Sequence, residues 1–154
     1  MLGIIVVLTT LEYMFVALLP PNVKPGLANI VIMYCVFSVG RTHAIALNAT
    51  KSLFVLLTRG AMAGLLSFCG GMLSIAIIIL LSNFKKKQFS YAAISISGAC
   101  AHNLGQLLIA IIVTATPALV YYFPILIIWS IATGLLTSCL LKIVMPLLQK
   151  LEKG

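Results

Sequence analysis

Residues 62–81 read MAGLLSFCGGMLSIAIIILL, and residues 82–88, which follow, read SNFKKKQ. The first stretch carries no charged side chain. Its length matches the about 20 apolar residues a helix needs to cross the hydrocarbon core of a bilayer. The second is a polar loop with the lysine triplet Lys85-Lys86-Lys87, the type of loop that stays on the cytoplasmic side. Working outward, apolar segments of similar kind cover about residues 2–19, 27–39, 43–58, 89–115 and 119–141. Pro20-Pro21 ends the first, Pro124 lies near the start of the last, and Pro146 sets off a short tail, 142–154. The 27–39 segment is short for a span, so it must tilt or extend into its flanks. Strand-like alternation is absent, which argues against a barrel. The expected fold is therefore an all-α integral membrane protein: one domain, 1–154, a compact bundle of six transmembrane helices with both termini cytoplasmic.

Composition agrees. Of 154 residues 62% are hydrophobic and 8% charged, where soluble domains carry about 25% charged residues. Mean hydropathy is +1.21. Too little polar surface exists to cover a soluble core, and a disordered chain is excluded by the same numbers. Ten Lys and Arg face two acids, Glu12 and Glu152, for a net charge of +8. These cations lie between or inside apolar runs, so they set topology rather than bind nucleic acid. Six spans put Arg41, Lys85, Lys86, Lys87, Lys142, Lys150 and Lys153 inside, and Lys24 and Arg59 outside. The first segment has no basic start and no small-residue cleavage site, so it reads as a retained helix. Cys35, Cys69, Cys100 and Cys139 form no CxxC pair and read as small apolar fillers.

Ionisable groups inside a membrane are costly unless paired, and so mark candidate sites. There are three: Glu12, Lys51 and His102. Glu12 and Lys51 fall at a similar depth, about 10–12 Å below the outer surface at about 1.5 Å per residue. That depth allows an ion pair. Lys51, Val55 and Arg59 share one helix face by i, i+4 spacing, a face able to present two cations to an anion. In the fifth segment Ser95, Ala99, His102 and Gln106 form a polar stripe, with Asn103 adjacent. Beside it Ala93, Ser97, Ala101 and Gly105 form a small-residue stripe suited to close helix contact. Gly60 and Gly64 make a GxxxG pattern, followed by Gly70-Gly71. Candidate ligand-binding residues are thus Glu12, Lys24, Asn29, Lys51, Arg59, His102, Asn103 and Gln106. Candidate helix-packing residues are Gly60, Gly64, Gly71, Ala101 and Gly105.

No catalytic residues emerge: there is no Ser/His/Asp set, no paired acids and no phosphate loop. Two acids cannot build a carboxylate-rich Mg²⁺ site for prenyl diphosphate chemistry, and one His without nearby acids or thiolates makes no metal site.

Several motifs occur in register. Gly98-Ala99-Cys100-Ala101-His102-Asn103-Leu104-Gly105-Gln106-Leu107 resembles a "GAxAHNLGQL" pattern. Lys24-Pro25-Gly26-Leu27-Ala28-Asn29-Ile30-Val31 resembles "KLGLANIV", with Pro25 where Leu is usual. Ser67-Phe68-Cys69-Gly70-Gly71-Met72-Leu73-Ser74 resembles "SLSGGLLS", and Glu12 matches a first-helix Glu. Over about Glu12 to Leu136 the chain resembles the heptaprenyl diphosphate synthase component I-like family, also called Gx transporter. That family is similar to the substrate-binding S-components of energy-coupling factor (ECF) transporters.

The resemblance implies a multi-pass protein of the bacterial cytoplasmic membrane with a ligand pocket near the outer face. No cofactor is held covalently, and ATP is used by partner subunits only. The implied partners are an ECF coupling transmembrane subunit and two cytoplasmic ATPases. The implied ligand is a flavin or an isoprenoid/quinone precursor. The matched positions are Glu12, Lys24, Asn29, Gly71, His102, Asn103 and Gln106, whereas Lys51 and Arg59 rest on the argument from charge and spacing. The first segment lacks the AxxxA contacts with which S-components dock on the coupling subunit. Docking is then expected to use other small residues, around Ala44, Ala46 and Ala49. The alternative expectation, from the family's name, is a membrane accessory subunit of a prenyl diphosphate synthase.

Overall fold

A computed structural model describes Thr10, residues 27–83 and residues 90–152, with side chains described for Thr10, 29–83 and 90–143. The described residues are helical almost throughout, with no strand among them. Helix α1 spans Leu27–Tyr34 and runs into a π-helical turn, Cys35–Val39. Helix α2 spans Arg41–Arg59, α3 Ala61–Asn83 and α4 Tyr91–Thr114. A 3₁₀ turn, Pro117–Tyr122, leads into α5, Phe123–Glu152.

The breaks follow local chemistry. Gly40 (φ 139°, ψ 159°) and Gly60 (φ 91°, ψ 170°) occupy a backbone region open essentially only to glycine, and each separates two helices with a single residue. Ser90 caps α4, its hydroxyl accepting from the Ala92 N–H at 3.3 Å. Ala115 ends α4 in the left-handed conformation, and Pro117 opens the 3₁₀ turn, where its missing N–H costs nothing.

Among the described residues three helical stretches are long and apolar enough to cross a membrane: Ala61–Asn83, Tyr91–Thr114 and Pro117–Ile143. At about 1.5 Å per residue, α3 alone reaches about 35 Å, enough for a core of about 30 Å. Helix α2 is 19 residues long but too polar to count by composition, and Asn29–Val39 is apolar but short. The expected span at 2–19 lies outside the described residues.

The short second segment covers Leu27–Val39, as α1 and its π turn. Ile30 through Cys35 are all buried, so α1 is enclosed by protein. Backbone that departs from the α-helix is tolerated at membrane depth only when shielded in this way. Edge-to-face packing of Phe37 on Tyr91, with centroids 5.6 Å apart, fastens the π turn to the start of α4. In the last segment the helix passes Pro146, which the sequence set before a short tail, and runs on to Glu152. The ring removes one backbone bond, to the Lys142 carbonyl, and the apolar residues on either side continue the helix.

Packing is layered along the chain, with α3 between α2 and α4 and α5 against α4. Two apolar clusters surround α1. Val31, Ile32 and Cys35 meet Ala44, Leu47 and Ile75, while Met33 and Tyr34 meet Ile78, Ile94 and Leu141. Ala44 is therefore core, which removes it from any docking surface, while Ala46 and Ala49 remain exposed. The Arg41 guanidinium donates to Asn83 Oδ1 at 2.5 Å, so the start of α2 and the end of α3 share one end of the bundle.

The exterior is inverted relative to that of a soluble domain, and the interior holds polar groups beside the apolar clusters. Leu57 (75% exposed), Ile112 (71%) and Ile128 (67%) point outward, whereas Asn48, Lys51, Ser67, Ser74, Ser95 and His102 are buried. Apolar exteriors of this extent are stable against lipid tails, not water.

Candidate functional site

A cavity of about 240 Å³ opens between α1, α2, α3, α4 and α5. Of the eight residues expected to bind a ligand, six line it: Asn29, Lys51, Arg59, His102, Asn103 and Gln106. The remaining two, Glu12 and Lys24, lie outside the described residues, and so does the expected Glu12–Lys51 pair.

Each wall is one helix face. On α2, Lys51, Val55 and Arg59 line the cavity at spacing i, i+4, i+8, with Phe54 and Thr58 beside them. On α4 the polar stripe Ser95, Ala99, His102 and Gln106 lines the cavity, with Gly98 and Asn103 beside it. Lys51 is only 7% exposed, and its ammonium donates to Asn29 Oδ1 at 2.8 Å. Buried ammonium groups persist only where acceptors hold them, and here α1 supplies one. Gln106 Nε2 and His102 Nε2 lie 3.2 Å apart, one helical turn from each other. Asn103 Nδ2 donates across to Ser130 Oγ on α5 at 2.8 Å, and Ser130 Oγ donates to the Leu126 carbonyl at 2.6 Å. Ser95 Oγ ties α4 to α5 through the Gly134 carbonyl at 2.8 Å.

The arrangement is asymmetric. Lys51 and Arg59 stand on α2 and the polar side chains His102, Asn103 and Gln106 on α4, with Trp129 and Phe54 adding aromatic surface. Such a cavity can hold an anion against Lys51 and Arg59 while His102, Asn103 and Gln106 hydrogen-bond to it. Among the described residues no three His, Cys, Asp or Glu side chains converge as a metal site would require. None of the four cysteines is in a disulfide, and Cys35 is buried and Cys139 exposed.

Close helix contact makes these walls possible. A Cβ on Gly71 would fall on the Asn48 carboxamide, whose Nδ2 donates to the Phe68 carbonyl at 3.2 Å. A Cβ on Gly105 would stand 3.0 Å from Gly70 Cα, and one on Gly64 would meet Leu56. Ala101 is buried in the same layer. Gly60 differs from these: nothing lies within 4 Å of its Cβ position. It serves the connection between α2 and α3, not a helix contact.

Lining residues absent from the candidates read from the sequence include Trp129, Thr133 and Thr137 on α5 and Ser67 and Ser74 on α3. Their spacing carries a signal, since 126, 129, 133 and 137 repeat at helical intervals, as do 67, 71, 74 and 78. Hydroxyls in apolar helices are common, however, and bond back to their own helix, as Thr133 and Thr137 do at 2.9 and 2.8 Å.

Fold and site define a class: an all-helical protein with membrane-compatible helices enclosing a polar, cationic cavity. The chain belongs to the family described as heptaprenyl diphosphate synthase component I, whose model matches residues 1–144. Comparison with curated proteins gave no match, and comparison with solved structures gave none.

Proposed function

We propose that the chain is the substrate-binding membrane subunit of an ECF-type ABC transporter. Its ligand is anionic and partly apolar or aromatic, a flavin or an isoprenoid/quinone precursor. The observation that carries this reading is the gathering of Lys51, Arg59, Asn29, His102, Asn103 and Gln106 around one cavity among apolar helices. Buried polar groups in a membrane helix are expensive, and a load this large favours a ligand site over mere packing. The site lies in the cell membrane, and the subunit has no ATPase of its own. A coupling transmembrane subunit and two cytoplasmic ATPases supply the drive, and ATP is consumed only there.

A second reading is favoured by the family's description, component I of heptaprenyl diphosphate synthase. The chain would then be a membrane accessory subunit of a catalytic partner that carries the acidic metal site.

The deciding experiment is affinity purification in mild detergent with mass spectrometry of both proteins and released small molecules. Co-purifying ATPases and a stoichiometric flavin or isoprenoid support the transporter reading. A soluble acidic partner with prenyl-transferring activity supports the second.

A further inference from the structure

The two ends of the polar cavity differ in hydrogen-bonding sense. At one end stand Lys51 and Arg59, whose side chains donate and never accept. At the other end Ser95, Thr133 and Thr137 line the wall made by α4 and α5. A hydroxyl has one proton to give, and each of these three gives it to a main-chain carbonyl. Ser95 donates to Gly134 at 2.8 Å, Thr133 to Trp129 at 2.9 Å and Thr137 to Thr133 at 2.8 Å. What they can offer a ligand is lone pairs.

Packing sets the distance between the ends. Gly64 of α3 lies against Leu56 and Gly71 against Asn48, which puts Lys51 level with about Phe68. Gly98 of α4 lies against Ser74 and Ile78, and Ser95, one turn nearer the start of α4, is level with about Ile78. The stretch of α3 from Phe68 to Ile78 is roughly 15 Å long at about 1.5 Å per residue. Trp129, one turn before Thr133, lines the cavity between the two levels. Among the described residues no acid lines it.

We infer that the cavity takes an elongated anion with an acid group at one end and a neutral O–H or N–H donor at the other. The acid lies beside Lys51 and Arg59, and the donor bonds to the oxygens of Ser95, Thr133 and Thr137. Subtracting a hydrogen bond of about 2.8 Å at each end leaves about 10 Å for the ligand itself. The far donor is neutral because an ammonium there would be a buried charge with no carboxylate among the described lining residues to pair it. A cavity of about 240 Å³, below the roughly 300 Å³ at which pockets for drug-sized ligands begin, suits a slender molecule of this length. The inference rests on the reading of the cavity as a ligand site and narrows its ligand, since an apolar chain gains no hydrogen bond at the hydroxyl end.

The test uses the full chain in nanodiscs of zwitterionic lipid, with empty nanodiscs as the blank. One pair of probes is biphenyl carboxylate with a hydroxyl or a methyl group at its far para position. A shorter pair is para-hydroxybenzoate and para-methylbenzoate. Both phenols stay protonated at about pH 7, so each pair differs only in the donor. The two-ring hydroxy acid is expected to bind about tenfold or more tightly than its methyl counterpart, and the one-ring pair to differ by less than about twofold. Thr133→Val and Thr137→Val keep shape and remove oxygens whose own bonds lie within α5. At least one of them is expected to bring the two-ring pair within about twofold, and two variants keep the test open if one does not fold. Equal binding of the two-ring pair overturns the inference, as does an advantage that survives both Val variants. An equal advantage in the one-ring pair overturns the spacing and with it the inference. Farnesyl diphosphate and flavin mononucleotide are titrated beside these acids. Binding of either with none of the four acids bound overturns the inference while leaving the cavity as a ligand site. Failure of every probe removes both readings.

Discussion

The Lys51 ammonium donates to Asn29 Oδ1 across 2.8 Å, joining the polar helix α2 to the buried helix α1 at the cavity wall. A cation so held is oriented before any ligand arrives, which lowers the ordering cost of binding. Replacing Lys51 with Met keeps length and removes charge. Affinity for an anionic probe is expected to fall about tenfold or more, the scale of one charge-assisted hydrogen bond at about 1.5–3 kcal/mol. Equilibrium titration of the purified variant checks this. Unchanged affinity with an unchanged elution profile would take Lys51 out of the site.

Trp129 is the single tryptophan of the chain and it lines the cavity. Its fluorescence is therefore a reporter that needs no label. Saturable quenching is expected on titration with flavin mononucleotide or farnesyl diphosphate, whichever binds. The midpoint should move to higher concentration in Lys51→Met. A signal that does not saturate would place binding away from Trp129.

Gly71 and Asn48 fit only as a pair, since a Cβ on Gly71 would coincide with the Asn48 carboxamide. Gly71→Ala is expected to lower stability by about 1–3 kcal/mol, the usual cost of overpacking. In an Asn48→Ala background the same change should cost less than about 1 kcal/mol, because the clash is gone. Thermal unfolding of the four proteins in one detergent measures the coupling. Strict additivity would mean the two residues do not meet.

Gly60 offers the opposite mechanism. Its Cβ position is open, yet its φ of 91° is one that other residues rarely adopt. Gly60→Ala is expected to destabilise by about 1–3 kcal/mol from backbone strain alone. An unfolding temperature equal to wild type would show that the α2–α3 connection relaxes at no cost.

The helix faces were legible in the sequence. Lys51, Val55 and Arg59 on one helix, and Ser95, Ala99, His102 and Gln106 on another, each had to share a side because 3.6 residues make a turn. The three long apolar helices were legible for the same kind of reason, since hydrocarbon thickness sets a minimum length. The break between residues 58 and 62 was legible, but the part Gly60 plays in it was not: in a GxxxG pattern a turn glycine and a packing glycine look alike. Nor was the course of the last helix past Pro146, because one lost hydrogen bond weighs little against the helix around it.

From the sequence alone came the membrane class, the helical faces and the chemistry they carry, all of which depend on near neighbours and composition. The tertiary structure decided which faces confront one another. It brought Asn29 to Lys51 and Asn103 to Ser130, residues 22 and 27 positions apart, and set Asn48 against Gly71. It also buried the short helix α1 among its neighbours. Contacts between helices depend on how side chains interdigitate across a whole bundle, and that shape is not written at any one position of the chain.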